Sequence, residues 1–251
     1  MLAVISPAKT LDFERPLPAL DPTRPRFEAD AHNIASAASK LSQKKLAGLM
    51  HISDRLAALN VERFRDFGDQ PSRSAIYAFA GDVYVGFEVR SLDPEALPFL
   101  QDHVRILSGL YGLLRPLDAI RPYRLEMGTK WAPRRGDLYT YWGDRVAGLL
   151  AEDLEESGGR AIINLASREY WRAVEGSLPP NVRVIEIDFR EEGPEGLRFN
   201  SFAAKRARGM MARFLCEHRL DDPEALKTFD CDGYAYDAEG SEENRWRFRR
   251  V

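Results

Sequence analysis

The sequence predicts a mixed α/β (α+β) fold, with a central sheet and surrounding helices in a single domain over residues 1–251. Three observations favour this class. Short apolar runs typical of buried strands alternate irregularly with amphipathic stretches typical of helices. No internal repeat or low-complexity linker divides the chain. The length allows one large domain or two small ones, and the irregular alternation argues against a regular doubly wound array.

Strands are predicted where a short apolar run ends at turn residues. Leu2–Ile5 and the run AIINLAS at residues 161–167 have the composition of buried strands. The run VRVIEIDF at residues 182–189 predicts a third strand, followed by a turn between Gly193 and Gly196. The last segments, GYAYD and RWRFRRV, predict a closing hairpin around the acidic tip AEGSEEN.

Helices are predicted where apolar residues recur every three or four positions behind a capping residue. Asp93–Pro94 begins one of them, because apolar residues from Leu97 to Leu107 repeat at helical spacing, and Gly109 is expected to end it. The other helices are expected at residues 27–40, from Ser42 to about Met50, from Ser53 past Phe64, at 142–156 and from Ser201 to about Arg219.

The composition argues against a secreted or membrane protein. The N-terminal apolar run covers only Leu2–Ile5, whereas the core of a signal peptide takes about 7–15 residues. No apolar run approaches the ~20 residues of a membrane span. We therefore expect a cytoplasmic monomer with no membrane partner.

Histidine and cysteine do not form a metal-binding pattern. The four histidines are scattered, and none stands at the spacing of a metal-binding motif. We therefore predict no metal site and no cofactor. A reducing cytosol would keep both cysteines as thiols. The residues concerned are His32, His51, His103, His218, Cys216 and Cys231.

Positive charge concentrates in the segment LSGLYGLLRPLDAIRPYRLEMG at residues 107–128, although the chain carries a net charge of -3. The stretch 105–135 holds seven basic residues and two acidic ones. Gly109 and Gly112 flank Tyr111 directly after the predicted helix. A helix, a glycine hairpin and a second helix would present backbone N–H groups and arginines to a phosphate without reading a base.

A plain helix C-cap explains the same glycines. The loop after it would then carry arginines that pair with the many acids of the chain. Two residues stand between the glycines where the usual helix-hairpin-helix has one, and Pro122 would cut the second helix short. Spacing alone leaves both interpretations open and favours the C-cap.

A second basic stretch lies on the predicted helix SFAAKRARGMMARFLCEHR. At ~100° of rotation per residue, its apolar and basic residues fall on opposite sides. No acid lies between Ala203 and Cys216. An unmixed basic face indicates a polyanionic partner, although an acidic loop next to it would explain it equally well. The basic residues are Lys205, Arg206, Arg208 and Arg213.

Two loops that follow predicted strands offer further polar groups. Lys9 lies in SPAKT after the first strand, where open α/β sheets hold ligands. It could be a phosphate anchor or a base, or only a member of an ion pair. Asn164, Ser167 and Glu169 lie in NLASREYW after another strand, and helix capping is the simpler explanation for Ser167. No Ser-His-Asp or Cys-His arrangement is visible.

Several stretches resemble the YaaA family of bacterial peroxide stress response proteins. They follow one another in the family's order from the first strand to the last helix. The matching segments are ISPAKTLD at 5–12, ISDRLAALN at 52–60, GDVYVG at 81–86, LSGLYGLLRPLDAIRPYRLEMG at 107–128, INLAS-x-EY at 163–170 and AKRARGMMARF at 204–214.

The resemblance implies a cytosolic protein that protects cells from hydrogen peroxide by limiting free iron and iron-driven damage to DNA. It also implies a mixed α/β body with a positively charged cleft, a helix-hairpin-helix-like element at Gly109–Gly112, and binding of duplex DNA. With this resemblance, a phosphate-binding hairpin becomes the favoured interpretation of residues 107–128. The scattered histidines and cysteines indicate that any effect on iron is indirect.

Two hypotheses follow. The first is a DNA-binding protein, not an enzyme, that recognises phosphates by shape and charge. Its predicted contacts are Lys9, Arg105, Gly109, Tyr111, Gly112, Arg115, Arg121, Arg124, Lys205, Arg206 and Arg208. The second is an enzyme of unassigned reaction that could act on damaged DNA, with Lys9 or Glu126 as base or nucleophile. Its cleft would combine Lys9, Tyr111, Arg124, Glu126, Asn164 and Lys205.

Overall fold

The central element of the computed structural model is a mixed sheet of eight strands. The structure describes residues 1–194 and 196–250. Two further strands, β2 and β5, form a small antiparallel sheet. The strands are β1 Leu2–Ile5, β2 Arg73–Ser74, β3 Val104–Ser108, β4 Gly112–Leu114, β5 Ala119–Ile120, β6 Ala161–Leu165, β7 Arg183–Gly193, β8 Gly196–Arg198, β9 Tyr234–Glu242 and β10 Arg245–Arg250.

Parallel pairing places several strand ends at one edge of the large sheet. The strand order is β4-β3-β1-β6-β7-β10-β9, and β8 pairs with β7. β1 runs parallel to β3 and β6, and β7 runs parallel to β6 and β10. The loops that follow β1, β3 and β6 therefore leave the sheet at the same edge, where α/β proteins hold their ligands.

The helices surround this sheet and bury one continuous apolar core. The predictions at Ser42 and Ser53 are confirmed, because each serine caps its helix by accepting a hydrogen bond from a backbone N–H. The predicted strands and the closing hairpin are confirmed as well. The helices are α1 Glu28–Ala38, α2 Gln43–Met50, α3 Asp54–Arg65, α4 Ala75–Ala78, α5 Asp82–Phe87, α6 Leu97–His103, α7 Leu138–Trp142, α8 Arg145–Glu156, α9 Arg168–Trp171 and α10 Ser201–Glu217.

The helix predicted from Asp93 to Gly109 is wrong in its second half. A 3-10 turn and α6 end at His103, and the chain continues as strand β3. Every residue of β3 is buried between neighbouring strands, so its apolar residues do not alternate. A fully buried strand and a buried helix have the same apolar composition, which periodicity alone cannot separate.

Gly109 and Gly112 consequently lie in a β-hairpin, not between two helices. Ser108 pairs with Gly112 across the antiparallel β3 and β4. Gly112 has a φ of +67°, and a Cβ on Gly109 would stand 2.4 Å from the carbonyl oxygen of Leu125. Both positions therefore require glycine for backbone geometry. The helix-hairpin-helix-like element expected in this segment is absent from it.

A buried ion network joins β3, α8 and the segment before α1. Asp153 accepts hydrogen bonds from Arg105 and from both terminal nitrogens of Arg26, one of them at 2.8 Å. Arg105 also donates to two backbone carbonyls at 2.8 and 3.0 Å. Burial alone would raise the pKa of Asp153, but the two arginines lower it below its ordinary value. The carboxylate therefore stays charged in the interior.

Helices α5 and α10 cross with their backbones in contact. A Cβ on Gly209 would stand 1.8 Å from the carbonyl oxygen of Val83, and one on Gly86 would stand 2.1 Å from that of Arg206. Two glycines facing each other's helix allow this approach. The crossing fixes the start of α10 beside the start of α5, where the salt bridge between Lys205 and Asp82 spans 3.9 Å.

Candidate functional site

Loops from distant parts of the chain meet at the sheet edge defined above. The backbone N–H of Ser167, after β6, donates to Ser6 Oγ, after β1, at 2.8 Å. Ala8 lies against Gly81, the residue before α5, because a Cβ on this glycine would stand 2.9 Å from the Cβ of Ala8. The loop after β1 is therefore held between the loop after β6 and the start of α5.

Glu126 lies at the centre of this region. Its Oε1 is 3.0 Å from Arg124 Nε and 3.4 Å from Lys9 Nζ. Its Oε2 is buried and has no hydrogen-bond partner among the described residues. Two residues further on, the N–H of Gly128 donates to Oε1 of Glu169 at 2.9 Å. Lys9, Arg124 and Glu126 were predicted to share one cleft, and the structure places both cations beside Glu126.

Three buried tyrosines lie beneath these polar groups. Tyr84 donates to the carbonyl oxygen of Ser6 at 3.1 Å, and the Tyr123 hydroxyl is 2.7 Å from Ser108 Oγ. Tyr170 is the third. Burial raises the pKa of all three hydroxyls. They therefore remain protonated at neutral pH and act as fixed hydrogen-bonding groups.

Ser167 stands at the N-cap position of α9, but its side chain does not cap the helix. Its Oγ instead accepts a hydrogen bond from Ser6 Oγ at 3.3 Å. The prediction of a capping side chain is therefore corrected. Ser6 competes for this hydroxyl because the strands β1 and β6 are paired neighbours, which places the ends of both strands side by side.

The segments that meet at this edge carry six cations and three acids. We call this set the basic face. Lys130, Arg168 and Arg206 are exposed and form no ion pair with any described residue. Lys9 keeps 63% of its side chain exposed beside Glu126. The cations are Lys9, Arg124, Lys130, Arg168, Lys205 and Arg206, and the acids are Asp82, Glu126 and Glu169.

Four residues predicted to contact phosphate lie in the interior. Gly109 and Gly112 are buried in the hairpin, and Tyr111 is 1% exposed, its hydroxyl accepting the N–H of Arg121. Arg105 is 5% exposed and bound to Asp153. These four residues cannot reach a nucleic acid in this structure and are excluded from the basic face. Asn164, assigned to the alternative cleft, is buried too.

The predicted arginines outside the basic face are paired with carboxylates or packed against neighbouring segments. Arg115 pairs with buried Asp118 at 3.2 Å, and Arg121 lies 4.0 Å from Glu28. Arg213 binds Glu217 and three backbone carbonyls, so α10 does not present an unmixed basic face. The Nε of Arg208 is buried without a hydrogen-bond partner among the described residues, and burial lowers its pKa.

Several residues of the site were not predicted from the sequence. Arg168 and Lys130 were not among the predicted phosphate contacts. Ser6 and Tyr84 lie in the segments ISPAKTLD and GDVYVG but were given no role there. The signal for Ser6 and Arg168 was their position directly after two apolar strands, since parallel neighbours end at one sheet edge. The contact between the two loops, from Ser167 to Ser6, became visible only with the strand order.

The two thiols are not arranged for fast reaction with peroxide. Burial raises the pKa of Cys216 and of Cys231, whose pKa the nearby Asp230 raises further. The thiolate is the reactive form, so both groups are held in the less reactive state. Among residues 1–194 and 196–250, no three side chains of His, Cys, Asp or Glu cluster as metal ligands would.

None of the described helices has the length and apolar character that crossing a membrane requires. The fold and the site define a single-domain mixed α/β protein whose polar, cation-rich face lies at the carboxyl ends of parallel strands.

A family model described as "Peroxide stress protein YaaA" matches residues 1–240, and the chain belongs to this family. Its members act in peroxide stress, and the resemblance read from the sequence is confirmed. Three relatives are each named UPF0246 protein. The one from Rhizorhabdus wittichii is 62% identical over 249 residues, covering 99% of this chain and 98% of its own. Those from Polynucleobacter necessarius and Albidiferax ferrireducens are 46% and 47% identical, each covering 100% of this chain and 99% and 98% of their own.

Proposed function

We propose that the protein serves the peroxide stress response by binding duplex DNA through the basic face, and that it thereby helps to limit iron-driven oxidative damage. The observation that carries this proposal is the excess of six cations over three acids on a chain whose net charge is -3. Phosphate responds to such local clusters and not to the total charge of a protein.

The arrangement supports recognition of the DNA backbone. Among the described residues, Lys130, Arg168 and Arg206 have no carboxylate to release before they bind a phosphate. Contacts limited to phosphates fix a protein on a duplex without selecting its sequence. Coating DNA in this way would keep iron away from the phosphates, where it otherwise generates oxidants beside the bases.

The first prediction concerns three cations of the basic face. The triple substitution Lys130→Ala, Lys205→Ala and Arg206→Ala should weaken binding to random-sequence duplexes at least about tenfold at moderate salt, because three phosphate contacts are lost. The loss should be equal for duplexes of unrelated sequence, since no base contact changes. Fluorescence anisotropy of labelled duplexes measures both effects.

Three exposed cations outside the face provide the control. Lys44, Lys45 and Arg55 lie on α2 and α3 and form no ion pair with a described residue. Their replacement by alanine changes the net charge by the same amount. Affinity within about twofold of the unaltered protein is expected for this control. An equal loss in both triple variants would show that total charge, and not the basic face, determines binding.

A second candidate function is catalysis at Glu126. It is favoured by one observation, the buried Oε2 atom that has no hydrogen-bond partner beside Arg124 and Lys9. A carboxylate oxygen held in this state is available to take a proton from a bound molecule. Lys9 could act with it as nucleophile or base, on a substrate that includes damaged DNA.

The substitution Glu126→Gln separates the two candidates. It keeps the shape of the side chain and removes one acid from the basic face, so DNA binding should be unchanged or slightly tighter. If binding alone protects cells, a strain that carries this variant as its only copy should survive hydrogen peroxide as well as the parent strain. Lost protection with intact DNA binding would instead assign the function to chemistry at Glu126.

A further inference from the structure

A cavity of about 990 Å³ adjoins the basic face. The segment after Lys9 forms one wall, and helices α3, α4 and α5 contribute the others. Its size lies in the range of small-molecule sites, about 300–1,000 Å³. Tyr84, whose hydroxyl binds the loop after β1, lies between the cavity and the basic face. A molecule on the face could therefore extend into the cavity.

Arg63 of α3 is the unusual member of the cavity wall. Its guanidinium forms no ion pair and no side-chain hydrogen bond with any residue in 1–194 or 196–250. Burial lowers its pKa, and no carboxylate offsets this effect. Arg63 is partly buried in the wall, and a partly buried charge is stabilised by a counter-charge. The missing partner can be supplied by an anion bound in the cavity.

The other charges of the cavity are already occupied or lie at its rim. Asp12 holds Arg15 at 3.5 Å and Arg90 at 3.7 Å. Arg73 also lies 3.9 Å from Asp12. The remaining acids in the wall are Glu88, which pairs with Arg213, and Glu14, which is exposed. Arg63 is therefore the group left to bind an anion.

Three aromatic residues form part of the rest of the wall. Phe13, Tyr77 and Phe79 line the cavity. Arg90 lies over the ring of Tyr77, 5.8 Å from its centroid. The Tyr77 hydroxyl makes no hydrogen bond to a described residue and can serve a ligand. Phe13 is more exposed than Tyr77 and Phe79, and an accessible aromatic ring can pack against a nucleobase of any sequence.

We propose that this cavity binds a nucleotide, with its base against the aromatic wall and its phosphate on Arg63. The ligand is either a free nucleoside monophosphate or an unpaired nucleotide of a DNA strand held on the basic face. The second source rests on the proposed function, whereas the first does not. Paired bases cannot enter, because a base must leave the stack to reach such a cavity.

The first arm of the test titrates adenosine and cytidine monophosphates into the whole protein by calorimetry. Saturable binding is expected, and Arg63→Ala should weaken it at least tenfold. The control is Arg65→Ala, which changes an exposed arginine two residues further along α3 that pairs with no acid in the described part of the chain. This control should bind like the unaltered protein. The nucleosides without phosphate should bind weakly and show no difference between the Arg63 variant and the unaltered protein.

The second arm compares a paired duplex with the same duplex carrying one extra, unpaired nucleotide. Tighter binding of the bulged duplex, lost in Arg63→Ala while paired duplex binding persists, would assign the cavity to DNA. Binding of monophosphates alone would assign it to free nucleotides. Equal behaviour of Arg63→Ala and Arg65→Ala in both arms overturns the proposal. Failure to bind the paired duplex, with monophosphate binding intact, would contradict only the proposed DNA binding.

Discussion

Replacing Asp153 with asparagine is expected to lower the free energy of unfolding by about 3–5 kcal/mol, as breaking a buried ion pair does. Asp153 is the counter-charge of two arginines, and its side chain is 3% exposed. The amide keeps the shape of the carboxylate but leaves Arg105 in the interior with no described acid beside it. Urea unfolding followed by circular dichroism measures the loss.

The ion network around Asp153 should make the protein less stable at acidic pH. The arginines lower the folded-state pKa of Asp153 below its ordinary value of 3.8. The stabilisation is therefore complete above the unfolded pKa and is lost as the pH falls through the lower, folded pKa. In Asp153→Asn, the free energy of unfolding should therefore fall less steeply as the pH is lowered.

The control is Glu95→Gln. It breaks an exposed pair with Arg219 at 3.5 Å and should lower the free energy of unfolding by less than about 1 kcal/mol. Equal losses in both variants would contradict the role given to burial.

Replacing Gly209 with alanine should separate α10 from α5 and cost about 3 kcal/mol, the upper range for an overpacked core. The added methyl group would stand 1.8 Å from a backbone carbonyl, which no side-chain rotation can relieve. Alanine normally stabilises a helix relative to glycine, so the expected result has the opposite sign to the intrinsic helix preference. Thermal and urea unfolding both report it.

Gly148 provides the matched control for this crossing. It is an exposed glycine within α8, and an added Cβ would meet nothing within 4 Å. Gly148→Ala should therefore stabilise the protein by about 0.5–1 kcal/mol. If both alanine variants were stabilised, the backbone contact between α5 and α10 could not be as close as the structure shows. Because α10 carries Lys205 and Arg206, the Gly209 variant should also weaken duplex binding.

Local patterns were sufficient to predict most helices and strands. Ser42 and Ser53 stand before amphipathic stretches, and the capping interaction that makes serine favourable there is the one observed. Leu2–Ile5 and Ala161–Leu165 are short apolar runs between turn residues, and both are strands. These elements were predictable because the interactions that determine them lie within a few residues of the chain.

The hairpin at Gly109 could not be predicted in the same way. Val104–Ser108 continues the apolar period of α6, and only its pairing with β1 makes it a strand. The partners of the arginines could not be predicted either, because Arg105 binds Asp153, which lies 48 residues away in the sequence. Lys9 and Glu126 were named from their loops, but their contact depends on the order of strands. Tertiary pairing therefore decides which cations remain free for a ligand.

The salt dependence of duplex binding tests the central claim, that the basic face binds the phosphates of DNA. The logarithm of the association constant should fall linearly with the logarithm of salt concentration. Each phosphate contact contributes about 0.9 to this slope, so the variant with Lys130, Lys205 and Arg206 changed to alanine should have a slope shallower by about 2–3. The Lys44, Lys45 and Arg55 variant should keep the original slope. The claim would be contradicted if the association constant did not depend on salt concentration. It would also be contradicted if the unaltered protein and the two triple variants had equal slopes.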